Sequence, residues 1–123
     1  MKKILIIEDD SIHREQIAEI LRFKGFEVFT AEEGKSGVMK ARNNEPDLIL
    51  CDILMPLMNG AEVLRYIRSE RDLCHIKFIF VTSLTDRNEI KSGFLMGAND
   101  YLTKPFTIKE LLAMIDKCFE AVE

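Results

Sequence analysis

The chain has 123 residues, of which 47% are hydrophobic and 31% are charged. This length and composition predict one globular domain over residues 1–123 and argue against an enzyme with two lobes. The 17 basic and 21 acidic residues give a net charge of −4, which disfavours direct nucleic-acid contact by this domain. No apolar run approaches the roughly 18 residues of a membrane span, so we expect no membrane association.

The three cysteines, Cys51, Cys74 and Cys118, include no CxxC pair. Their odd number and their spacing disfavour a disulfide scaffold, and with only His13 and His75 to join them they also disfavour a zinc site. Reduced cysteines are typical of the cytoplasm, which is therefore the predicted location.

Five short apolar segments are predicted strands. In chain order they are Ile4–Ile7, Val28–Phe29, Leu48–Cys51, Phe78–Val81 and Tyr101–Leu102. The first, third and fourth are continuous apolar runs, which is typical of strands buried on both faces of a parallel sheet.

A predicted helix follows each strand and has its own boundary signals. In chain order these are the stripe Ile17, Ile20 and Leu21 before Gly25, the short segment Val38–Ala41 before Pro46, the N-cap Asn59 before Val63, the Asp86–Glu89 start of a helix that stops near Gly97, and the capping box Thr107–Glu110 before a stripe that runs to Val122. Five alternations of strand and helix predict an α/β fold with a parallel sheet and helices on both faces.

Polar residues follow four of the predicted strands. They are Glu8, Asp9 and Asp10 after the first, Asp52 after the third, Thr82 and Ser83 after the fourth, and Lys104 after the fifth. In a flavodoxin-like, doubly wound sheet of order 2-1-3-4-5, ligands bind at the carboxyl edge, where strands one and three diverge. We expect the acids to meet there, with a hydroxyl and an ammonium group beside them.

Clustered carboxylates repel one another unless a cation neutralises them. Oxygen ligands suit Mg²⁺ or Mn²⁺, and a metal, a lysine and a hydroxyl together stabilise phosphoryl oxygens. A further carboxylate can then act as a nucleophile and form an aspartyl phosphate. The pattern therefore predicts a site for phosphoryl transfer.

Four motifs resemble those of the receiver (response-regulator) domain of two-component signal transduction, in its chemotaxis-regulator-like form. They are Glu8-Asp9-Asp10, Asp52-Ile53-Leu54-Met55-Pro56-Leu57-Met58-Asn59-Gly60, Thr82-Ser83 and Lys104-Pro105-Phe106. The resemblance covers essentially the whole chain, and the D-x-x-M-P-x-x-x-G run is its most specific part.

The resemblance implies a role for each matching residue. Asp52 would accept a phosphoryl group, and Thr82 and Lys104 would bind its oxygens. Tyr101 would be the aromatic switch that turns inward when Thr82 moves toward phosphate. The implied ligands of Mg²⁺ are Glu8, Asp9, Asp52 and the backbone carbonyl of Leu54. The resemblance also implies a cis peptide between Lys104 and Pro105.

The implied function is a phosphorylation-activated switch and not an enzyme. A histidine kinase or a histidine phosphotransfer protein would phosphorylate Asp52, and the face of helix 4, strand 5 and helix 5 would then act on an effector protein or a fused output domain. Leu54 and Leu84, two residues beyond Asp52 and Thr82, are apolar and predict slow self-dephosphorylation. The stretch 101–106 followed by 109–113 resembles the winged-helix transcription-factor branch, in which the next residue is usually an arginine that joins a salt-bridged dimer. Met114 stands there, which disfavours that charge-paired dimer. We expect a monomer or a phosphorylation-dependent dimer.

Three alternatives are open at this point. A receiver-fold scaffold that binds partners without phosphorylation is disfavoured by the full set of site residues. A haloacid-dehalogenase-type phosphatase needs an acid two residues after its nucleophile, where Leu54 stands. A flavodoxin-like flavin binder needs a Ser/Thr/Gly-rich loop after the first strand, and that loop is acidic here.

Other residues near the motifs have structural interpretations. We expect the loop residues Leu54, Met55, Leu57 and Met58 to pack together. His13 is predicted to lie on the first helix near the edge of the site, as a surface residue and not as a phosphodonor, and Cys51 is predicted to face the core.

Overall fold

The computed structural model describes residues 1–83 and 87–120. Strands and helices alternate in the order β1 (Lys3–Ile7), α1 (Ser11–Phe23), β2 (Glu27–Ala31), α2 (Gly34–Asn44), β3 (Leu48–Cys51), α3 (Gly60–Ser69), β4 (Lys77–Thr82), α4 (Arg87–Met96), β5 (Asp100–Thr103) and α5 (Ile108–Glu120). None of these described helices combines the length and apolar character that crossing a bilayer requires. The predictions made for Leu84, Asp86 and Val122 fall outside the described residues.

The five strands form one parallel sheet of order β2-β1-β3-β4-β5. This order confirms the predicted α/β fold. Ile7, the last residue of β1, pairs with Cys51, the last residue of β3. The register therefore brings Glu8 and Asp52 out of the sheet side by side.

Alternate residues of the central strands supply two separate cores. In β1, Ile4 and Ile6 pack with α1 and α5, whereas Leu5 and Ile7 pack with the helices of the opposite face. The buried residues of α1 and α5 belong to one cluster, and those of α2 and α3, with Met96 at the end of α4, belong to the other. Both faces of the sheet are thus covered, which explains the unbroken apolar runs of the central strands.

Helix α2 is longer than the predicted segment Val38–Ala41, because it spans Gly34–Asn44. Its buried residues are Gly34, Gly37 and Ala41, and a Cβ atom at Gly37 would lie 2.8 Å from Cγ1 of Ile7. The helix therefore approaches the sheet on small residues, which give no apolar periodicity in the sequence.

The predicted helix boundaries are observed at four helices, and one of them is the capping box Thr107–Glu110 at the start of α5. Asn59 and Glu62 form a reciprocal capping box at the start of α3, which satisfies two backbone N–H groups that the helix leaves free. Gly25 and Gly97 follow α1 and α4 with φ angles of 96° and 110°. Glycine adopts this left-handed conformation without the steric penalty that a Cβ atom brings.

The loop between β3 and α3 differs from the prediction. Met55 is buried and Met58 packs on the core, as expected, but Leu54 and Leu57 are 58% and 93% exposed. Leu57 adopts a φ of 69°, which turns its side chain away from the domain. The prediction that all four residues pack together is therefore wrong for the two leucines.

Candidate functional site

Four polar residues lie at the carboxyl edge of the sheet. Glu8, Asp52 and Lys104 directly follow β1, β3 and β5, and Thr82 is the last residue of β4. Glu8, Asp52 and Thr82 are buried, with 3%, 8% and 1% of their surface exposed. Buried carboxylates are costly unless they are paired with a positive charge or bind a metal ion. This edge of the sheet is therefore the candidate functional site.

Three carboxylates meet at the divergence of β1 and β3. One oxygen each from Glu8, Asp9 and Asp52 can be chosen so that all three lie within 4.8 Å of one another. Glu8 and Asp52 are buried, whereas Asp9 is exposed, so the group opens to solvent on one side. Oxygen donors of this kind fit Mg²⁺ or Mn²⁺, which keep several waters.

The ammonium group of Lys104 lies between two of these acids. Its Nζ atom donates to Oε1 of Glu8 at 2.8 Å and to Oδ2 of Asp52 at 3.3 Å. Burial lowers the pKa of Lys104, but the hydrogen bond that its ammonium donates to Glu8 and the charge of Asp52 outweigh burial, and the pKa is raised. The lysine is therefore held charged beside both carboxylates, and the peptide that joins it to Pro105 is cis.

Glu8 is anchored by α1 as well as by Lys104. Its Oε1 lies 3.3 Å from Nδ1 of His13, and its Oε2 accepts the backbone N–H of Asp10 at 3.2 Å. The guanidinium of Arg14 donates to the backbone carbonyl of Glu8 at 2.8 Å. His13 also packs edge-on against Phe106, with 5.6 Å between the ring centroids.

His13 thus lies beside the site, as its place on the first helix predicts, but it is half-buried and contacts Glu8 where a surface position was expected. The contact with Glu8 was not predicted, because a single histidine at the start of a helix carries no motif. The only signal was its position five residues after Glu8, in the first turn of α1, where a side chain can reach back over the end of β1.

Asp10 has a structural role next to the site. It is the N-cap of α1, and its Oδ1 accepts the backbone N–H of His13 at 3.1 Å. This hydrogen bond lowers the pKa of the Asp10 carboxyl. Asp10 therefore fixes the start of the helix that carries His13 and Arg14.

Two hydrogen bonds position Asp52, one with the sheet and one with its own loop. Its backbone N–H donates to the carbonyl of Ile7 at 3.1 Å, and its Oδ1 accepts the N–H of Leu54 at 3.3 Å. The preceding Cys51 faces the core as predicted, and burial, followed by the charges of Asp52 and Glu8, raises its pKa well above the ordinary value. That thiol therefore stays neutral.

Tyr101 lies on β5, and its ring is directed toward α4. The phenol donates to the backbone carbonyl of Glu89 at 3.4 Å. Its ring centroid is 5.1 Å from that of Phe80 and 5.1 Å from that of Phe94. Burial, followed by the charge of Glu89, raises the pKa of Tyr101.

A family comparison accounts for this arrangement. Residues 4–116 match the family model described as the response regulator receiver domain. The chain belongs to the response regulator receiver domain family. Receiver domains are the phosphorelay components of two-component signal transduction, and the acidic group at Glu8, Asp9 and Asp52 fits the Mg²⁺ that the family typically binds.

Curated relatives of this receiver domain are response regulators. The transcriptional regulatory protein CrdR of Helicobacter pylori is 38% identical over 118 residues, which cover 96% of this chain and 55% of CrdR. The response regulator MprA of a Mycobacterium species is 37% identical over 90% of this chain and 47% of its own length. The chain thus spans about half the length of these relatives.

Solved structures share the same fold. The chemotaxis protein CheY4 of Vibrio cholerae superposes with a TM-score of 0.92 at 29% identity, over 96% of this chain and 98% of CheY4. The receiver domain of the sensor histidine kinase PA1611 of Pseudomonas aeruginosa has a TM-score of 0.88 at 28% identity, over 98% of both chains. The PA1611 structure holds a magnesium ion in its active-site cleft.

Proposed function

We propose that this receiver domain is a phosphorylation-activated switch in which Asp52 accepts a phosphoryl group from a phosphohistidine. The observation that carries the proposal is the placement of one ammonium group, that of Lys104, against two of three clustered carboxylates. Such an arrangement stabilises the negative charge that moves during phosphoryl transfer.

The proposed reaction needs little more than positioning. A carboxylate oxygen of Asp52 attacks phosphorus in line, and the P–N bond to the donor imidazole breaks. The electron pair stays with the imidazole nitrogen, which takes a proton from solvent. The N–H of Leu54 and the ammonium of Lys104 orient the Asp52 carboxylate, and the product is an acyl phosphate.

We propose that Glu8, Asp9, Asp52 and the backbone carbonyl of Leu54 hold Mg²⁺ or Mn²⁺. The proximity of the three carboxylates supports this assignment, because three like charges within 4.8 Å repel one another. When bound, the cation supplies positive charge to the oxygens of the transferring group. Lys104 and the hydroxyl of Thr82 would bind the remaining phosphoryl oxygens.

Thr82 and Tyr101 are the proposed switch residues. Thr82 ends β4 at the site, and Tyr101 lies against α4 on the neighbouring strand. Movement of Thr82 toward a phosphoryl group would draw the ring inward and reshape the surface of α4, β5 and α5. An effector protein or a fused output domain would bind that surface. The chain itself would be a monomer or a phosphorylation-dependent dimer.

We propose further that the chain acts in the cytoplasm as one domain, without its own contact to nucleic acid or membrane. Its partners would be a histidine kinase or a histidine phosphotransfer protein. We propose that it is not an enzyme beyond its own phosphorylation and slow dephosphorylation. Leu54, where a haloacid-dehalogenase-type phosphatase needs an acid, supports the switch over that alternative.

The proposal is tested with Mg²⁺ and acetyl phosphate, followed by intact-mass spectrometry. The wild-type chain should gain the mass of one phosphoryl group, and Asp52→Ala should gain none. Asp47→Ala is the matched control, because Asp47 lies at the opposite end of β3 and should leave the adduct unchanged. A scaffold that works without phosphorylation predicts no adduct on wild type, and an adduct that persists on Asp52→Ala would reject the assignment of the acceptor.

A further inference from the structure

Gly93 lies within α4, where it is buried against the ring of Tyr101. A Cβ atom at this position would overlap the phenol oxygen, and would lie 2.7 Å from Cζ and 3.2 Å from Cε1 of the ring. Non-bonded carbon atoms are best separated by about 3.5–4.0 Å. The ring, where it now lies, therefore leaves no space for any side chain at residue 93.

Glycine is unfavourable for the helix at this position. Inside a helix it destabilises relative to alanine, because its unfolded backbone has more freedom to lose. Gly93 lies in the last turn of α4 but is not its left-handed terminating residue, since α4 continues to Met96 and that conformation is adopted by a different glycine, Gly97. The group packed against Gly93 is the Tyr101 ring, which leaves no room for a larger residue there.

Further contacts keep the ring in this place. The phenol donates to the Glu89 carbonyl, one turn before Gly93 on the same helix. Phe80 and Phe94 each lie 5.1 Å from the ring, centroid to centroid, which is a favourable distance for aromatic pairs. The ring thus packs between Phe80 of β4 and Phe94 of α4, and directly against Gly93. We refer to the space bounded by these three residues as the slot.

We propose that Gly93 is a positioning residue that creates the docked position of Tyr101 on α4 and so sets how strongly the chain favours its unphosphorylated conformation. The inference rests on the proposed function, in which Tyr101 moves when the chain is phosphorylated. A methyl group at residue 93 would overlap the ring where it now lies and so removes the docked position. The equilibrium then shifts toward conformations in which the ring lies elsewhere.

A double-mutant cycle of unfolding stability tests the packing of Tyr101 against Gly93 without any phosphoryl chemistry. In the wild-type chain, Gly93→Ala should lower the urea midpoint of unfolding, because the ring must leave its contacts. In a Tyr101→Ala background the same change should raise the midpoint, because only the gain in helix propensity remains. Ser92→Ala, at an exposed neighbouring position of α4, should give the same small effect in both backgrounds.

The position of the ring itself is a second readout. In nuclear magnetic resonance spectra of the wild-type chain, the Tyr101 ring protons should show a cross-relaxation peak to the α protons of Gly93. In Gly93→Ala the ring should show no such peak to residue 93. A Gly93→Ala effect of equal sign in the two backgrounds, or a docked ring in the variant, would overturn the inference.

The link to switching is tested with beryllofluoride, which mimics a phosphoryl group on a carboxylate. With Mg²⁺ present, Gly93→Ala should bind it more tightly than wild type by about fivefold, the lower end of typical coupling between sites, and Ser92→Ala should not. Equal affinities of Gly93→Ala and wild type would refute the inference while leaving phosphorylation of Asp52 intact. If wild type binds no beryllofluoride, the proposed function fails, and the double-mutant cycle still decides whether Gly93 makes the slot.

Discussion

Tyr101 is the residue whose ionisation offers a direct probe of its docked position. Burial against α4, followed by the charge of Glu89, raises its pKa above the ordinary 10.0. A raised pKa in the folded state means that the neutral phenol stabilises the fold fully below pH 10.0, and that this contribution is lost as pH rises through the folded pKa.

We therefore expect the difference in unfolding free energy between wild type and Tyr101→Phe to be constant at neutral pH and to fall above pH 10.0. The phenolate absorbance of a Tyr66→Phe chain, which retains Tyr101 alone, should titrate above that of free N-acetyl-tyrosinamide. A titration midpoint equal to or below that reference would contradict the docked, partly buried phenol.

Leu54 is expected to control how long the phosphorylated state lasts. Its side chain is 58% exposed, and its N–H is bonded to Asp52, so an apolar group stands next to the proposed acyl phosphate. Leu54→Asn should hold an attacking water there and shorten the lifetime of the phosphorylated chain by about tenfold, less than a positioned general base contributes.

The lifetime is measured as loss of the phosphoryl mass after acetyl phosphate is removed. Leu57→Asn is the control, because Leu57 is even more exposed on the same loop but is not adjacent to Asp52. A wild-type half-life of seconds would contradict slow dephosphorylation, and an unchanged rate in Leu54→Asn would remove Leu54 from the explanation.

The candidate site was predictable where a residue directly follows a strand. The topology of the parallel sheet brings Glu8, Asp52 and Lys104 to one edge, independently of the contacts that their side chains make. His13 and Gly93 were not predictable in the same way, because their roles depend on the side chains that lie opposite them in the folded chain.

At the level of helices and strands, Arg68 joins α3 to the turn between α4 and β5. Its guanidinium donates to the carbonyl of Gly97 at 3.0 and 2.8 Å, to that of Ile76 at 2.7 Å and to that of Cys74 at 3.2 Å. It also reaches Oδ1 of Asn99 at 3.1 Å. Burial of this group lowers the pKa of Arg68.

We expect Arg68→Lys to destabilise the domain by about 1–3 kcal/mol, because one ammonium group cannot satisfy carbonyls on two sides. Arg65→Lys, on the exposed face of the same helix, should change stability by less than about 0.5 kcal/mol. Urea unfolding of both variants measures the difference, and equal midpoints would show that Arg68 contributes only charge.

The helices and strands differed in how well the sequence predicted them. Strands β1, β3 and β4 are unbroken apolar runs, and their bounds were close to those observed. Helix α2 was predicted too short because it packs through Gly34, Gly37 and Ala41. The assignment of α1 and α5 to one face depends on connections across the sheet, which no local pattern encodes.

For the molecule as a whole, the proposed metal site would make folding and cation binding interdependent. Glu8 and Asp52 are buried and lie close to Asp9, and the single positive charge of Lys104 offsets only part of the repulsion among the three carboxylates. Mg²⁺ should therefore stabilise the chain by about 2.7 kcal/mol when its free concentration is 100 times its Kd.

This linkage is measured as the shift of the thermal midpoint with Mg²⁺ at constant ionic strength. Asp9→Asn should abolish the shift, because Asp9 is the exposed member of the group. Asp72→Asn, an exposed acid beyond α3, should retain it. A wild-type midpoint that does not respond to Mg²⁺ would contradict the proposed metal site.

The central claim is that the phosphoryl group resides on Asp52. After treatment with acetyl phosphate and Mg²⁺, borohydride reduces an acyl phosphate to an alcohol and converts the phosphorylated aspartate to homoserine. Peptide mass spectrometry should find homoserine at residue 52. Reduction at Asp9 or Asp10, or a stable phosphoryl group on His13 with Asp52 unmodified, would contradict the account.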